Sequence, residues 1–175
     1  LLFSPSVLGS SFGLCACMAL MALAHWRWDE NLRSVLAARD NLAQSRRFAL
    51  LAQLNTERLL AGDNTLPRTL VIADLDRALT SARDLRQGRG SIAGFSSRVP
   101  VTGDLATATE GYLAALTQAR AIMERQLGGF EAGGGALRLA QRAIDVRAVA
   151  VEAALLNHLA AQRALLRRHD MVTLA

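Results

Sequence analysis

The chain has 175 residues, of which 51% are hydrophobic and 5% aromatic, and its formal net charge is +5. This hydrophobic fraction is enough to fill the core of one compact unit, which excludes wholesale disorder. The basic residues are scattered singly or in pairs among acidic ones, with no basic stripe and no stacking aromatics nearby, so we expect no nucleic-acid binding. Alanine, leucine and arginine dominate while β-branched residues are sparse, so an all-α fold is predicted.

The N-terminus is an apolar run without any charged residue from Leu1 to Ala24. At 1.5 Å per residue, a helix of this length crosses a hydrocarbon core of about 30 Å. His25, Trp26, Arg27 and Trp28 follow at once, a combination that a membrane–water interface favours. We therefore predict a transmembrane anchor over residues 1–26. The alternative is a cleaved signal peptide, whose apolar region would be shorter and would end at a small-residue cleavage site.

The two cysteines lie inside this apolar run. Cys15 and Cys17 are therefore expected to form neither a disulfide framework nor a metal site. The letters LCAC at 14–17 also resemble a bacterial lipoprotein box in which Cys17 would be acylated, although seven more apolar residues follow where a polar segment should begin. Because residue 1 is not methionine, we expect the natural chain to start upstream.

Apolar residues at helical spacing predict four further helices. The first runs from about Asp29 to Ala61, the second through Leu70–Leu85, the third through Leu105–Leu127, and the fourth from Leu137 to the end.

Helix-breaking residues separate these helices. Gly62 ends the first, Asn64 or Thr65 is the predicted N-cap of the second with Pro67 in its first turn, and Thr102 or Asp104 caps the third. Residues 88–103 are rich in glycine and serine and are expected to form an irregular connection, and glycines break the chain again over 128–135.

Each of these helices has only one apolar stripe, so none can bury it alone. We predict an antiparallel four-helix bundle over residues 29–170, with the turns near 62–65 and 128–135 at the membrane-distal end. Residues 171–175 read as the start of a second membrane span. A bundle between two spans is a sensor architecture, and we expect it in the periplasm of a bacterium, held at the inner membrane.

The segment from NLAQSRRF, at 41–48, to LRQG, at 85–88, resembles a known family of sensor domains. It is similar to the periplasmic domain shared by type IV pili methyl-accepting chemotaxis transducers and nitrate/nitrite sensor histidine kinases. The similarity is carried by the arginine pair, the GD turn at 62–63, LDRAL at 75–79 and LRQG. The resemblance implies a four-helix-bundle homodimer in which an arginine of the first helix and its two-fold mate grip a small oxyanion.

Arg46 and Arg47 are the candidate ligand-binding residues. On a 3.5-residue repeat, Arg46 shares a seam with Leu32, Val35, Arg39, Leu42 and Ala49, whereas Arg47 shares the next one with Leu36, Ala43, Leu50 and Leu54. One of the two must lie near a helix contact, where a guanidinium needs an anion or a carbonyl partner. The alternative is that both pair with bundle acids such as Glu57, Asp74 or Asp76, or extend into solvent.

Other polar residues give weaker indications of function. His158 and Gln162 interrupt the stripe of the fourth helix without a second metal ligand nearby, so a hydrogen-bonded interior histidine is expected, and Tyr112 is expected in the core. No nucleophile with its base, phosphate loop or carboxylate pair is present, so we predict no enzyme, metal or cofactor in this segment. Two functions remain, a signal-input domain whose output module lies beyond residue 175, and a membrane-anchored helical scaffold of an envelope or secretion assembly.

Overall fold

The structure is a computed structural model in which residues 5–63, 65–92, 95–129 and 135–173 are described, with side chains over 15–63, 65–90, 98–129 and 135–165. The described residues form helices α1 (Pro5–Leu60), α2 (Arg68–Arg86), α3 (Gly103–Leu127) and α4 (Gly135–Thr173) and strands β1 (Arg89–Ile92) and β2 (Phe95–Arg98). The chain is nearly all helical, which confirms the predicted fold class.

Helix α1 is continuous for 56 residues, from the apolar N-terminal run into the bundle. Within the described part of the chain, no helix combines the length and the apolar character that crossing a membrane requires. The predicted anchor over residues 1–26 lies partly outside this part, since residues 1–4 are not described and side chains are described only from Cys15 onward. The predicted second span at 171–175 also lies partly outside the described residues. Helix α4 ends at Thr173, and its side chains are described only to residue 165.

Contacts between the helices fix their directions. Asn55 lies against Asp74 and Asn41 against Arg89, so α1 and α2 are antiparallel. The other neighbouring pairs are antiparallel as well, as the partners Asp76–Arg120 and Arg86–Glu110 show for α2 and α3, and Arg39–Glu152 and Arg46–Asp145 for α1 and α4. The α1–α2 and α3–α4 turns therefore lie at one end of the bundle, opposite the N-terminal part of α1.

The core is built from a few large side chains and many alanines. Buried Tyr112, Leu79, Leu116, Ile144 and Leu155 meet along the bundle axis. Alanines at the helix contacts allow close approach, and those that are at most 1% exposed include Ala49, Ala52, Ala78, Ala82, Ala119 and Ala148. A smaller apolar cluster around Val71, Leu75, Met123 and Leu137 fills the end that holds the two turns.

The connection after α2 is not irregular as predicted, because β1 and β2 pair as an antiparallel hairpin that joins Arg89 to Arg98 and Ile92 to Phe95. Gly88 permits this hairpin to start, since its φ of +66° is a left-handed conformation that glycine adopts at little cost. Gly90 then packs so closely on α1 that a Cβ there would lie 2.4 Å from that of Ala37. Residues 93–94 at the tip lie outside the described residues.

The predicted N-cap of α2 was wrong by two or three residues. Pro67 occupies the N-cap in an extended conformation, and the helix begins at Arg68. Thr65 instead closes the preceding turn by donating its N–H to Asp63 Oδ1 at 3.1 Å, and Asn64 lies outside the described residues. Thr102, one of the two predicted caps, is the N-cap of α3. Asp104, the other, lies in the first turn.

Candidate functional site around Arg46 and Arg47

The two arginines project in different directions from α1. Arg46 faces α4, where its Nη2 lies 3.8 Å from Asp145 Oδ1. One heptad earlier, Arg39 Nη2 donates to Glu152 Oε1 at 3.0 Å. The apolar members of the predicted seam follow this side of α1, with Val35, Leu42 and Ala49 buried and Leu32 half-buried, while the arginines extend from its edge to acids on α4.

The acids considered from the sequence are not the partners of Arg46. Asp74 pairs with Arg77, Asp76 pairs with Arg120, and Glu57 accepts a hydrogen bond from Gln53. Asp145 was not predicted as the partner of Arg46, although the residue spacing indicates this pair. Arg39 and Arg46 are seven residues apart, as are Asp145 and Glu152, and equal spacing on two antiparallel helices lets both pairs meet.

Beneath Arg46 lies a buried hydrogen-bond chain that the sequence analysis also missed. The Tyr112 hydroxyl donates to Ser45 Oγ at 3.0 Å, and Ser45 Oγ donates to the carbonyl of Ala78 at 2.8 Å. Burial raises the pKa of Tyr112 to about 12, with the Ser45 hydrogen bond and the Arg46 charge acting in the opposite direction. Tyr112 is therefore a neutral donor that ties α3 to α1 and α2 behind the arginine pair.

Arg47 points away from the bundle. It is exposed, and among the described residues no hydrogen bond or ion pair to it is formed. Around it on α1 lies the stripe that the sequence assigned to its seam, with Leu36 and Leu50 each 45% exposed, Leu54 50% exposed and Ala43 exposed as well. Arg47 therefore stands between exposed apolar residues, and the exposed Asp40, which accepts a hydrogen bond from Gln44, lies one heptad before it on the same stripe.

A second apolar stripe runs along α4 on the same side of the bundle. Val149 and Leu156 are exposed and follow Asp145 and Glu152 by four residues each. On α1, Ala43 and Leu50 follow Arg39 and Arg46 by the same four residues. Because residues four apart are neighbours on a helix surface, both stripes border the α1–α4 ion pairs. We name this surface the outer face, and its residues are Leu36, Ala43, Leu50 and Leu54 of α1 with Val146, Val149 and Leu156 of α4.

Other polar groups supply no competing site in the described part of the chain. No group of three or more potential metal ligands is found there. His158 is half-buried and bonded to Gln162, with 2.9 Å between their Nε2 atoms, so its expected hydrogen bond is confirmed. Two open grooves of about 680 and 490 Å³ lie between α2 and α3, and neither is lined by Arg46 or Arg47.

Comparison with known proteins adds no relative, since no family model, curated protein or solved structure matches the chain.

Proposed function

We propose that this chain is the signal-input domain of a bacterial transmembrane receptor that binds a small oxyanion between two copies, with Arg47 as the principal contact. The observation that carries the proposal is the position of Arg47, which is exposed, has no partner among the described residues, and is flanked on α1 by the exposed side chains of Ala43 and Leu50. The similarity of residues 41–88 to sensor domains of chemotaxis transducers and nitrate/nitrite sensor kinases supports the same assignment.

The physical argument begins with what happens when the stripe is covered. A guanidinium that is removed from water beside leucines needs an anion, because an unpaired buried charge is strongly unfavourable. Two copies related by a two-fold axis through this stripe bring two Arg47 side chains together, and their forks bind the oxygens of a planar anion by paired hydrogen bonds. Side chains on a helix lean toward its N-terminus, so these forks reach the level of Ala43, whose small side chain leaves room for the anion.

Arg46 has a different part in this proposal. Its guanidinium is already directed to Asp145 on the neighbouring helix of the same chain, as Arg39 is to Glu152. These pairs hold α4 against α1 rather than presenting donors to a ligand. Of the two candidate residues, we therefore assign anion binding to Arg47 and the positioning of α4 to Arg46.

The same proposal places the N-terminal part of α1 in the inner membrane and the bundle in the periplasm. Met18 and Met21 are 64% and 71% exposed, and Leu20 and Leu23 are also exposed, so apolar side chains project from all sides of the helix here. Such a surface requires an apolar environment. Trp26 and Trp28 lie where the membrane–water interface would be. In this proposal, the output module is a histidine kinase, a chemotaxis transducer or a cyclase.

The test is anion-dependent stabilisation of the 175-residue chain in lipid nanodiscs, measured by thermal melting with nitrate, nitrite, sulfate and small carboxylates. An anion at 100 times its dissociation constant stabilises the folded form by about 2.7 kcal/mol. We expect Arg47→Ala to abolish the shift and Arg47→Lys to restore it poorly, because an ammonium group lacks the paired donors. Arg46→Ala is the matched control and should retain the shift.

The outcome that contradicts the proposal is equally specific. If none of these anions shifts the melting of the wild-type chain, or if Arg47→Ala responds as the wild type does, Arg47 is not an anion site. The remaining function is then the membrane-anchored scaffold, in which the outer face serves assembly without a ligand.

A further inference from the structure

The groove of about 490 Å³ between α2 and α3 lies at the end of the bundle that holds the two turns, because Arg68, the first residue of α2, and Leu127, the last residue of α3, both line it. Part of its lining is apolar, with Ile72 and Ala73 half-buried and Leu127 buried. Its volume is in the range of small-molecule sites, roughly 300–1,000 Å³. The groove therefore has the size and the apolar surface that a small ligand needs.

One end of this groove carries an excess of negative charge. Asp76 and Glu124 both line it and are 52% and 46% exposed. Arg120 contacts both of them, with its Nη1 2.6 Å from Asp76 Oδ1 and its Nε donating to Glu124 Oε1 at 2.8 Å. A single guanidinium balances only one of two carboxylates. This end consequently retains one negative charge that is open to a cationic group.

The other end carries a positive charge. Arg68 lines the groove, is exposed, and forms no hydrogen bond or ion pair among the described residues. It precedes Ile72 by four residues and Asp76 by eight, so the three side chains follow one side of α2. The backbone positions of Arg68 and Asp76 are about 12 Å apart along the helix axis. The groove is thus positive at one end, apolar between, and negative at the other.

We infer that this groove binds a short peptide with free termini, with the peptide carboxylate on Arg68 and its ammonium group between Asp76 and Glu124. The guanidinium fork suits a carboxylate, and an ammonium group has three donors with which to reach both acids. Apolar side chains of the peptide then pack on Ile72 and Leu127. The inference goes beyond the proposed function and uses none of the residues of the oxyanion contact.

The distance between the charged ends selects the length of the ligand. An extended chain spans at most about 3.3–3.6 Å per residue, so two or three residues cover about 7–11 Å, and the long side chain of Arg68 bridges the remainder. In a free amino acid, a single carbon atom separates the two charged groups, so it reaches only one end. An oxyanion gains nothing here, because two carboxylates repel it, and the groove does not compete with Arg47.

The test is isothermal titration calorimetry of the 175-residue chain in lipid nanodiscs, with leucyl-leucine as the probe. We expect the dipeptide to bind, and free leucine to bind about tenfold more weakly or not at all. Blocking either terminus, as the C-terminal amide or as the N-acetyl derivative, should also weaken binding about tenfold, since each removes a charge-assisted hydrogen bond.

Matched variants assign each terminus to its partner. In Arg68→Ala, the free dipeptide and its amide should bind equally, because the group that distinguishes them is gone. In Glu124→Gln, the negative end is neutralised, so the free and the N-acetylated dipeptide should bind equally. Arg125→Ala is the control, because Arg125 is exposed beside Glu124 but does not line the groove, and it should keep both differences. All three positions are exposed, and thermal melting checks that each variant is folded.

Three results would overturn the inference. They are a wild-type chain that does not bind leucyl-leucine, free leucine that binds as tightly as the dipeptide, and an Arg68→Ala variant that still distinguishes the amide as the wild type does. If the peptide binds as described while no anion acts through Arg47, the groove stands and the oxyanion function is wrong. If an anion stabilises the chain through Arg47 and no peptide binds, the reverse holds.

Discussion

The hydroxyl of Tyr112 donates a hydrogen bond to Ser45 Oγ at 3.0 Å, in a part of the bundle where both side chains are fully buried. The Ser45 hydroxyl in turn donates a hydrogen bond to the carbonyl of Ala78, so one chain of hydrogen bonds joins α3, α1 and α2. The pair fixes the face of α1 that turns inward. Arg47, two residues after Ser45 and therefore about 200° further around the helix, lies on the outward side.

Removing either hydroxyl should destabilise the bundle, but by different amounts. Tyr112→Phe deletes a donor and leaves Ser45 bonded to Ala78, so we expect a loss of about 1 kcal/mol in the free energy of unfolding. Ser45→Ala leaves the Tyr112 hydroxyl buried without a partner, and we expect a loss of about 1–3 kcal/mol. Urea unfolding measures both, with Thr117→Ala, an exposed hydroxyl, as the control within about 0.5 kcal/mol of wild type. A larger loss for Tyr112→Phe than for Ser45→Ala would contradict this hydrogen-bond direction.

The pH dependence of stability should reveal the burial of Tyr112. Its pKa rises from 10.0 to about 12 on folding, so its stabilising contribution is complete below pH 10 and is lost as pH rises toward 12. Between these two pH values, ionisation of Tyr112 in the unfolded chain lowers the free energy of unfolding by about 1.4 kcal/mol per pH unit. Tyr112 is the single tyrosine of the chain, so tyrosinate absorbance reports on it alone. Tyr112→Phe should flatten this alkaline slope, and an unchanged slope would contradict the assignment.

Two glycines should respond in opposite directions to a methyl group. In Gly90→Ala, the new Cβ lies 2.4 Å from that of Ala37, so we expect the overpacked hairpin to cost about 1–3 kcal/mol. In Gly111→Ala, the nearest atom is the flexible end of Arg147 at 3.4 Å, and the gain in helix propensity should stabilise the bundle by up to about 1 kcal/mol. Thermal unfolding compares the two variants directly. A tolerated Gly90→Ala would show that the hairpin is not held against α1.

The ion pairs between α1 and α4 should contribute little individually. Arg46 and Asp145 are both about half-exposed and 3.8 Å apart, so we expect a double-mutant cycle with alanine to give a coupling energy of about 0.2–1 kcal/mol. The Arg39–Glu152 pair, at 3.0 Å, should give the larger value of the two. Raising the salt concentration should reduce both couplings. A coupling above this range at Arg46 would indicate that it is more than a positioning contact.

Much of the fold could be predicted because helical periodicity and helix breakers are local properties. The end of α1 was placed within one residue, and Thr102 was identified as a cap of α3. The hairpin over residues 89–98 could not be predicted in this way. Its glycines and serines indicated a connection, but its strands form because Gly88 adopts a left-handed conformation and Gly90 packs against Ala37, which lies far away in the chain.

For the candidate site, helical periodicity is enough to place Arg46 and Arg47 on two adjacent stripes of one helix, because a 3.6-residue turn sets consecutive residues about 100° apart. It could not determine which stripe faces the bundle. That was decided by tertiary packing, since the turns and the alanine contacts set the side on which α4 lies, and Asp145 meets Arg46 only in that arrangement. Burial depends on neighbours distant in sequence, so the exposure of Arg47 emerges only from the assembled helices.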